Sequence, residues 1–348
     1  MNRRDFITAT AVSAAVPALL NQAAAAPRKG SAKMKVLVPA STPEEMAILR
    51  AAAPTLELVP FQTDEEALEL VKTADAVYGF ITPELIRAGK SLKWVQQSSA
   101  GVEHLMDDAA FVESHIILTN MQRAYAPQIA DQALGYLIGF TRGMSHFIRI
   151  QPKQDWHQVQ TDVVLDELPG KTLLTIGLGG IGSEIARRAA AFGMRVLATD
   201  PKVIERPLTV AELHRPEALG SLLPQADIVV SSVPLTKVSR KMLGAREFAM
   251  MKPGVLFINV SRGGVVDTDA LVAALDSKHV AGAGLDVTDP EPLPKGHPLW
   301  TRNVIITPHN AGQSTGVARR RLEVTRENLR RFAAGESLIN VVDKSVGY

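Results

Sequence analysis

Cysteine is absent from the chain, which excludes disulfides, thiolate metal sites and cysteine nucleophiles together. The same absence lets the chain live in an oxidising compartment without mispairing. A strong charge of either sign is also missing: the formal net charge is +2, and no run of like charges exceeds a few residues. That leaves no electrostatic footprint for nucleic acid or for an anionic membrane surface. Long hydrophobic runs are lacking too. The apolar stretch from Ile7 to Leu20 falls short of the ~20 residues that a spanning helix needs, so no stable membrane anchor is expected. There is no internal repeat and no low-complexity linker, and no metal site is expected.

What is present has the composition of a globular enzyme. The 348 residues are 46% hydrophobic and 21% charged, with 25 Gly and 21 Pro scattered rather than clustered. That length accommodates two domains of ordinary size, each with its own core.

The first residues read as a targeting segment. Asn2-Arg3-Arg4-Asp5-Phe6-Ile7 puts a pair of arginines ahead of the apolar run, and Ala23 to Ala26 then supply small residues for cleavage. This is the layout of a twin-arginine secretory signal over residues 1–25, cut after Ala25 because a cut after Ala26 would leave Pro27 first. Its removal takes away two cations and one anion, leaving a mature chain near +1. A periplasmic or otherwise exported location is the expectation. Because that route carries folded proteins, it suits an enzyme that loads its cofactor before leaving.

From Met34 onward, short β-rich runs ("KVLVP", "LELVP", "AVYGF", "KWVQQ", "IILTN") alternate with helical patterns, the signature of a parallel α/β module. A largely apolar helical pattern follows from about Ala130 to Ile148, and a second alternating series runs from Thr172 to about Thr307. The last helical pattern, "TGVARRRLEVTRENLRRFAAG", is amphipathic with a basic, solvated outer face. The economical picture is two α/β modules joined by two long helices, the last helix returning to the first module.

Within the second series, Gly177-Leu178-Gly179-Gly180-Ile181-Gly182 fits G-x-G-x-x-G between an apolar strand and the helical stretch "IGSEIARRAAAF". Gly177 permits the turn, Gly179 lets the backbone approach a pyrophosphate, and Gly182 lets the helix lie close to the sheet. The helix then points its first N–H groups at the phosphates. Asp200, 18 residues beyond Gly182 at the end of the strand "RVLAT", is placed to accept hydrogen bonds from the adenosine ribose and to repel a 2′-phosphate, favouring NAD over NADP. Lys202 nearby can partly offset that repulsion. The competing reading is a glycine turn that only packs helix against sheet.

Three further segments end apolar strands with chemistry-bearing residues. "GVLFINVSRGG" delivers Arg262, whose guanidinium could fork onto a carboxylate and a neighbouring carbonyl oxygen. "AGAGLDVTDPEPLP" delivers Asp286, with Glu291 five residues later, and "NVIITPHNAGQS" delivers His309. A histidine suits proton exchange near neutral pH, and a carboxylate partner would fix its tautomer. Hydride transfer to a 2-oxo acid needs this set: a dinucleotide, a cation for the carboxylate and carbonyl, and a proton donor for the developing alkoxide.

The ordered set resembles the D-isomer-specific 2-hydroxyacid dehydrogenase family, which includes glyoxylate/hydroxypyruvate reductases and phosphoglycerate dehydrogenases. The likeness rests on Gly177 to Gly182 with Asp200, "VPLT" at Val233, "INVSRGG" at Ile258, "GLDV" with Glu291, "HPLW" at His297 and "TPHNAG" at Thr307, and on "SSAGVEHL" at Ser98 as a substrate-carboxylate loop. It covers nearly all of the mature chain. It implies an α/β fold of two doubly wound parallel-sheet domains, a Rossmann NAD-binding domain (131–310) inserted into a discontinuous flavodoxin-like substrate domain (34–130 and 311–348). It implies that Arg262 binds the substrate's carboxylate and keto oxygen, that His309 is the acid/base, that Glu291 orients it, and that the backbone around Ala100 and Gly101 holds the carboxylate. Gly177, Gly179, Gly180, Ile181, Gly182, Asp200, Val233, Val260, Asp286, His309 and Gly312 would line the cofactor site, and a homodimer would form through the NAD-binding domain. Asn310 after the histidine and Ala130-Asp131 in the long helix depart from the family pattern. The stop at Tyr348, without a regulatory extension, argues against the longer serine-controlled phosphoglycerate enzymes. The alternative beside a 2-hydroxyacid dehydrogenase is a non-catalytic NAD-dependent binding protein on the same fold; hydride abstraction from a small inorganic or one-carbon anion would be signalled by replacement of the cationic and acid/base set, and Arg262, Glu291 and His309 are intact.

Overall fold

Each β-rich run named above becomes a strand, and helices connect the parallel strands. A computed structural model describes residues 33–154, 156, 165–202 and 205–348. The expected signal segment, residues 1–25, lies outside the described residues. Met34–Tyr348 forms one compact unit.

The first sheet contains β1 (Lys35–Pro39), β2 (Glu57–Phe61), β3 (Ala76–Gly79), β4 (Trp94–Gln97) and β5 (Ile117–Thr119). All its pairings are parallel, in the order β2-β1-β3-β4-β5, the flavodoxin-like arrangement. The second sheet contains β6 (Thr172–Ile176), β7 (Arg195–Thr199), β8 (Glu212–His214), β9 (Ile228–Ser231), β10 (Val255–Asn259), β11 (Val280–Leu285) and β12 (Val304–Ile306). Its order, β12-β11-β10-β9-β6-β7-β8, is the Rossmann order with one strand added at the β11 edge. The two doubly wound parallel sheets agree with the fold class read from the sequence.

Successive side chains of a strand face opposite sides, and both sides of each sheet are covered. In the second sheet Leu174, Val229 and Phe257 join one core while Leu173, Val230 and Ile258 join the other. In the first sheet Leu37, Val77 and Val95 separate in the same way from Val36, Val38 and Trp94. This two-sided burial explains why the strands read as near-continuous apolar runs.

The helices position the site. In α1 (Pro43–Ala52), Thr42 and Glu45 form a reciprocal capping box. The helix expected from about Ala130 to Ile148 is in fact two, α2 (Ala126–Thr141) and α3 (Met144–Ile150). Pro127 sits in the first turn of α2, and Gly143, at φ +63°, takes the left-handed conformation that ends one helix and admits the next. Leu134, Leu137 and Phe140 of α2 share a core with Ile185 and Ala189 of α4 (Gly180–Ala191), the helix that follows the glycine turn. The basic helix α5 (Val317–Ala334) returns to the first sheet as expected: Leu329 is fully buried there, and Asn328 donates to the Gln96 side chain of β4 at 2.8 Å.

Candidate active site

Ligand sites in doubly wound sheets lie outside the carboxyl ends of the strands, where the order reverses. In the second sheet that point falls between β6 and β9, and the glycine turn leaves β6 there. Gly177 has φ +92°, a conformation that side-chain-bearing residues rarely adopt. A Cβ on Gly182 would lie 2.1 Å from the Gly177 carbonyl oxygen, so only glycine lets α4 descend onto the strand. Around Gly179 the result is opposite: a Cβ there would meet nothing within 4 Å. The turn is thus closed where it packs and open where a pyrophosphate would approach the N-terminus of α4, and the residues present fit a dinucleotide. Val233 packs against Gly177, Ile181 is half-buried in the first turn of α4, and Val260 is buried beyond β10.

Asp200 stands after β7. Its Oδ2 accepts from the Leu178 amide and its Oδ1 from the Lys202 amide, both at 2.8 Å, which holds the carboxylate beside the turn. The Lys202 ammonium points to the other end of the chain, donating to the Tyr348 carbonyl at 3.0 Å and lying 4.0 Å from the centre of its ring.

Arg262 leaves the carboxyl end of β10, where its carbonyl is fixed by the Asn259 side chain at 3.1 Å. Its guanidinium crosses to the loop after β4: a Cβ on Gly101 would sit 1.9 Å from Nη2, so glycine is needed for the two to meet. In the same loop the Ala100 carbonyl accepts from Asn120 at 2.7 Å and the Gly101 carbonyl from Ser99 at 2.9 Å. Arg262 Nε donates to Glu103 Oε1 at 2.6 Å, and Nη1 to the Ser261 carbonyl at 2.8 Å. Burial works to raise the Glu103 pKa, but the charge and hydrogen bond of Arg262 outweigh it and hold the carboxyl below the ordinary glutamate range.

His309 lies on the same sheet edge, beyond β12, two strands from Arg262. Its Nδ1 is 2.6 Å from Glu291 Oε1, so a carboxylate partner sets Nδ1–H and leaves Nε2 turned away from Glu291. The pair is 45% and 40% exposed, open enough for a substrate to reach. His309 has φ +52°, and its amide donates to the Asp286 carbonyl at 2.8 Å. The Asp286 side chain is buried and fully engaged: Oδ1 accepts from Thr307 Oγ1 at 2.6 Å, from the Asn310 amide at 3.0 Å and from the Ala311 amide at 3.1 Å, and Oδ2 also accepts from Ala311. Asp286 therefore fixes the loop that carries His309. Gly312 ends that loop with its carbonyl held by Gln128 at 2.7 Å.

The structure thus unites Gly101 with Arg262, His309 with Glu291, and the glycine turn with Asp200. Glu103 was legible in "SSAGVEHL" as an acid but not as the partner of an arginine 159 positions away. Tyr136 was also missed; its hydroxyl meets Thr307 and so supports the Asp286 network from α2. Among the described residues no group of three His, Asp or Glu could hold a metal ion, and no helix is long and apolar enough to cross a membrane.

Comparison with known proteins bears on this geometry. Residues 134–311 match the family described as D-isomer specific 2-hydroxyacid dehydrogenase, NAD binding domain. A hydroxypyruvate reductase of Thermotoga maritima is 35% identical over 70% of this chain and 78% of its own length. A D-3-phosphoglycerate dehydrogenase of Methanocaldococcus jannaschii is 31% identical over 89% of this chain, which spans only 59% of that relative. Among solved structures, a D-isomer specific 2-hydroxyacid dehydrogenase of Xanthobacter autotrophicus in complex with NADPH superposes with TM-score 0.77 at 29% identity, covering 91% of this chain and all of that one. A D-lactate dehydrogenase of Aquifex aeolicus complexed with NAD and lactic acid gives TM-score 0.70 at 28% identity, over 88% of this chain and 99% of the other.

Proposed function

The chain belongs to the D-isomer specific 2-hydroxyacid dehydrogenase family, and from that premise we propose that it interconverts a small 2-oxo acid and its D-2-hydroxy acid with NAD(H). The observation that carries this reading is the contact of the Arg262 guanidinium with Gly101, which puts a cation in a loop of backbone amides on the same cleft edge as the His309–Glu291 pair.

Arg262 binds the substrate's carboxylate and draws on its keto oxygen, while the backbone around Ala100 and Gly101 holds the same carboxylate. His309 Nε2 gives the alkoxide its proton in reduction and removes it in oxidation. Glu291, 2.6 Å from Nδ1, keeps the ring oriented with Nε2 free for the substrate. The turn from Gly177 to Gly182 would hold the nicotinamide dinucleotide, which would supply or receive the hydride when bound. Asp200 supports NAD over NADP, since a 2′-phosphate would stand against its carboxylate. Residues 131–310 form the nucleotide domain, and 34–130 with 311–348 the substrate domain. Closure of the two excludes water from the reacting atoms. A homodimer through the nucleotide domain and export of the folded chain behind residues 1–25 complete the proposal.

The test is an assay of the purified chain against a panel of 2-oxo acids with NADH and with NADPH. Reduction of at least one, faster with NADH, is expected. Dinucleotide binding without turnover across the panel overturns the enzymatic reading and leaves a binding protein.

A further inference from the structure

Gly180 opens α4 in a helical conformation that any residue could adopt. The space its side chain would fill is taken: a Cβ there would sit 2.9 Å from Arg123 Cγ, 3.1 Å from its Cα and 3.3 Å from its amide nitrogen. Arg123 belongs to the segment between β5 and α2, on the substrate side of the cleft, and presses on the first turn of α4 from there. It is exposed, and at φ +71° it holds a left-handed conformation that an arginine rarely takes. Among the described residues no hydrogen bond or ion pair engages its guanidinium. The turn from Gly177 to Ser183 carries no cation of its own.

We propose that Arg123 is a pyrophosphate-binding residue, reaching across the cleft to the phosphates that the glycine turn and α4 cradle. The inference rests on the dinucleotide reading of that turn and adds a residue from outside it. A pyrophosphate brings two negative charges to a helix N-terminus whose own contribution is partial. A guanidinium adds a full charge and a fork matched to phosphate oxygens. The Arg123 segment is tied to the substrate loop, for Met121 donates to the Ser99 carbonyl at 3.0 Å, Asn120 to the Ala100 carbonyl at 2.7 Å and Tyr125 to the Ser98 carbonyl at 2.9 Å. Occupancy of the phosphate site is thereby felt where the substrate carboxylate binds.

The experiment is titration of the whole protein with NADH, with ADP-ribose and with adenosine, which lacks phosphate. Arg123→Gly suits the left-handed backbone and removes the whole side chain, guanidinium included. It is expected to raise the Kd for NADH and ADP-ribose roughly ten- to hundredfold, as loss of a charge-assisted hydrogen bond does, and to leave adenosine unchanged. Arg123→Lys keeps the charge and should fall between. Gly180→Ala, which displaces Arg123, should weaken ADP-ribose in the wild-type background and add little to Arg123→Gly. An unchanged ADP-ribose Kd in Arg123→Gly, or an equal loss for adenosine, overturns the proposal. Both leave the 2-oxo acid reading standing, whereas ADP-ribose and NADH failing to bind the wild-type chain overturns the dinucleotide reading as well.

Discussion

Arg262 and Glu103 meet across the cleft at 2.6 Å, Nε to Oε1, with the rest of the guanidinium lying against Gly101. The pair fixes the arginine by the nitrogen farthest from its tip and the Ser261 carbonyl takes one N–H of Nη1, so Nη2 and the second N–H of Nη1 remain for a substrate carboxylate. Replacing Glu103 by Ala should lower kcat/KM for the 2-oxo acid about tenfold, the size expected when a hydrogen bond to a charged group is lost, while the Kd for NADH stays put. Glu103→Gln, which keeps an acceptor, should lose less. A higher kcat/KM in Glu103→Ala would mean instead that the carboxylate competes with substrate.

The same pair fixes a pH dependence. The Glu103 pKa is depressed in the folded chain, so its ion pair is complete above the ordinary glutamate value and is lost only as pH falls through the lower, folded value. The pH profile of kcat/KM should therefore have no limb from Glu103 near neutrality, and Glu103→Gln should leave the neutral part of that profile unmoved. A neutral limb that vanishes in Glu103→Gln would contradict this.

Tyr136 predicts an alkaline effect. Burial, reinforced by the nearby Asp286 charge and opposed by hydrogen bonding with Thr307 and Gln132, pushes its hydroxyl up to about 12. The unfolded chain ionises this group at its ordinary value while the folded chain resists, so its contribution is full below that value and falls as pH rises towards 12. Tyr136→Phe should cost about 1 kcal/mol near neutrality through the lost hydrogen bond and should flatten the alkaline fall in stability. Urea midpoints across that pH range give the comparison, and parallel curves for the two chains would sink the idea.

Gly182→Ala tests the packing beneath the turn. Its Cβ would lie 2.1 Å from a backbone oxygen that cannot move without disturbing β6. A loss of about 3 kcal/mol is expected from overpacking, read as a lower denaturant midpoint. Wild-type stability would show that α4 shifts freely.

Much of this was legible in the sequence because periodicity and glycine placement act locally. The strands around Leu37, Val95 and Leu174 announced themselves as apolar runs, and the turn with its acid at Asp200 followed from spacing. His309 and Glu291 were readable as strand-end residues of complementary chemistry, and they do pair. What escaped depended on the approach of distant segments. Glu103 gains its meaning only when the loop after β4 faces β10, and Arg123 only when the segment after β5 meets Gly180. The break at Gly143 escaped for another reason: an apolar run on both sides of a glycine reads as one helix, although a left-handed residue divides it.

The central claim, that this cleft reduces a 2-oxo acid with His309 as its proton donor, is tested most directly by the turnover number of His309→Asn. Asparagine tolerates the left-handed backbone at that position and removes the imidazole ring. A fall of about 10²–10⁴-fold in kcat, with NADH binding largely retained, is the predicted result; turnover at the wild-type rate would contradict it.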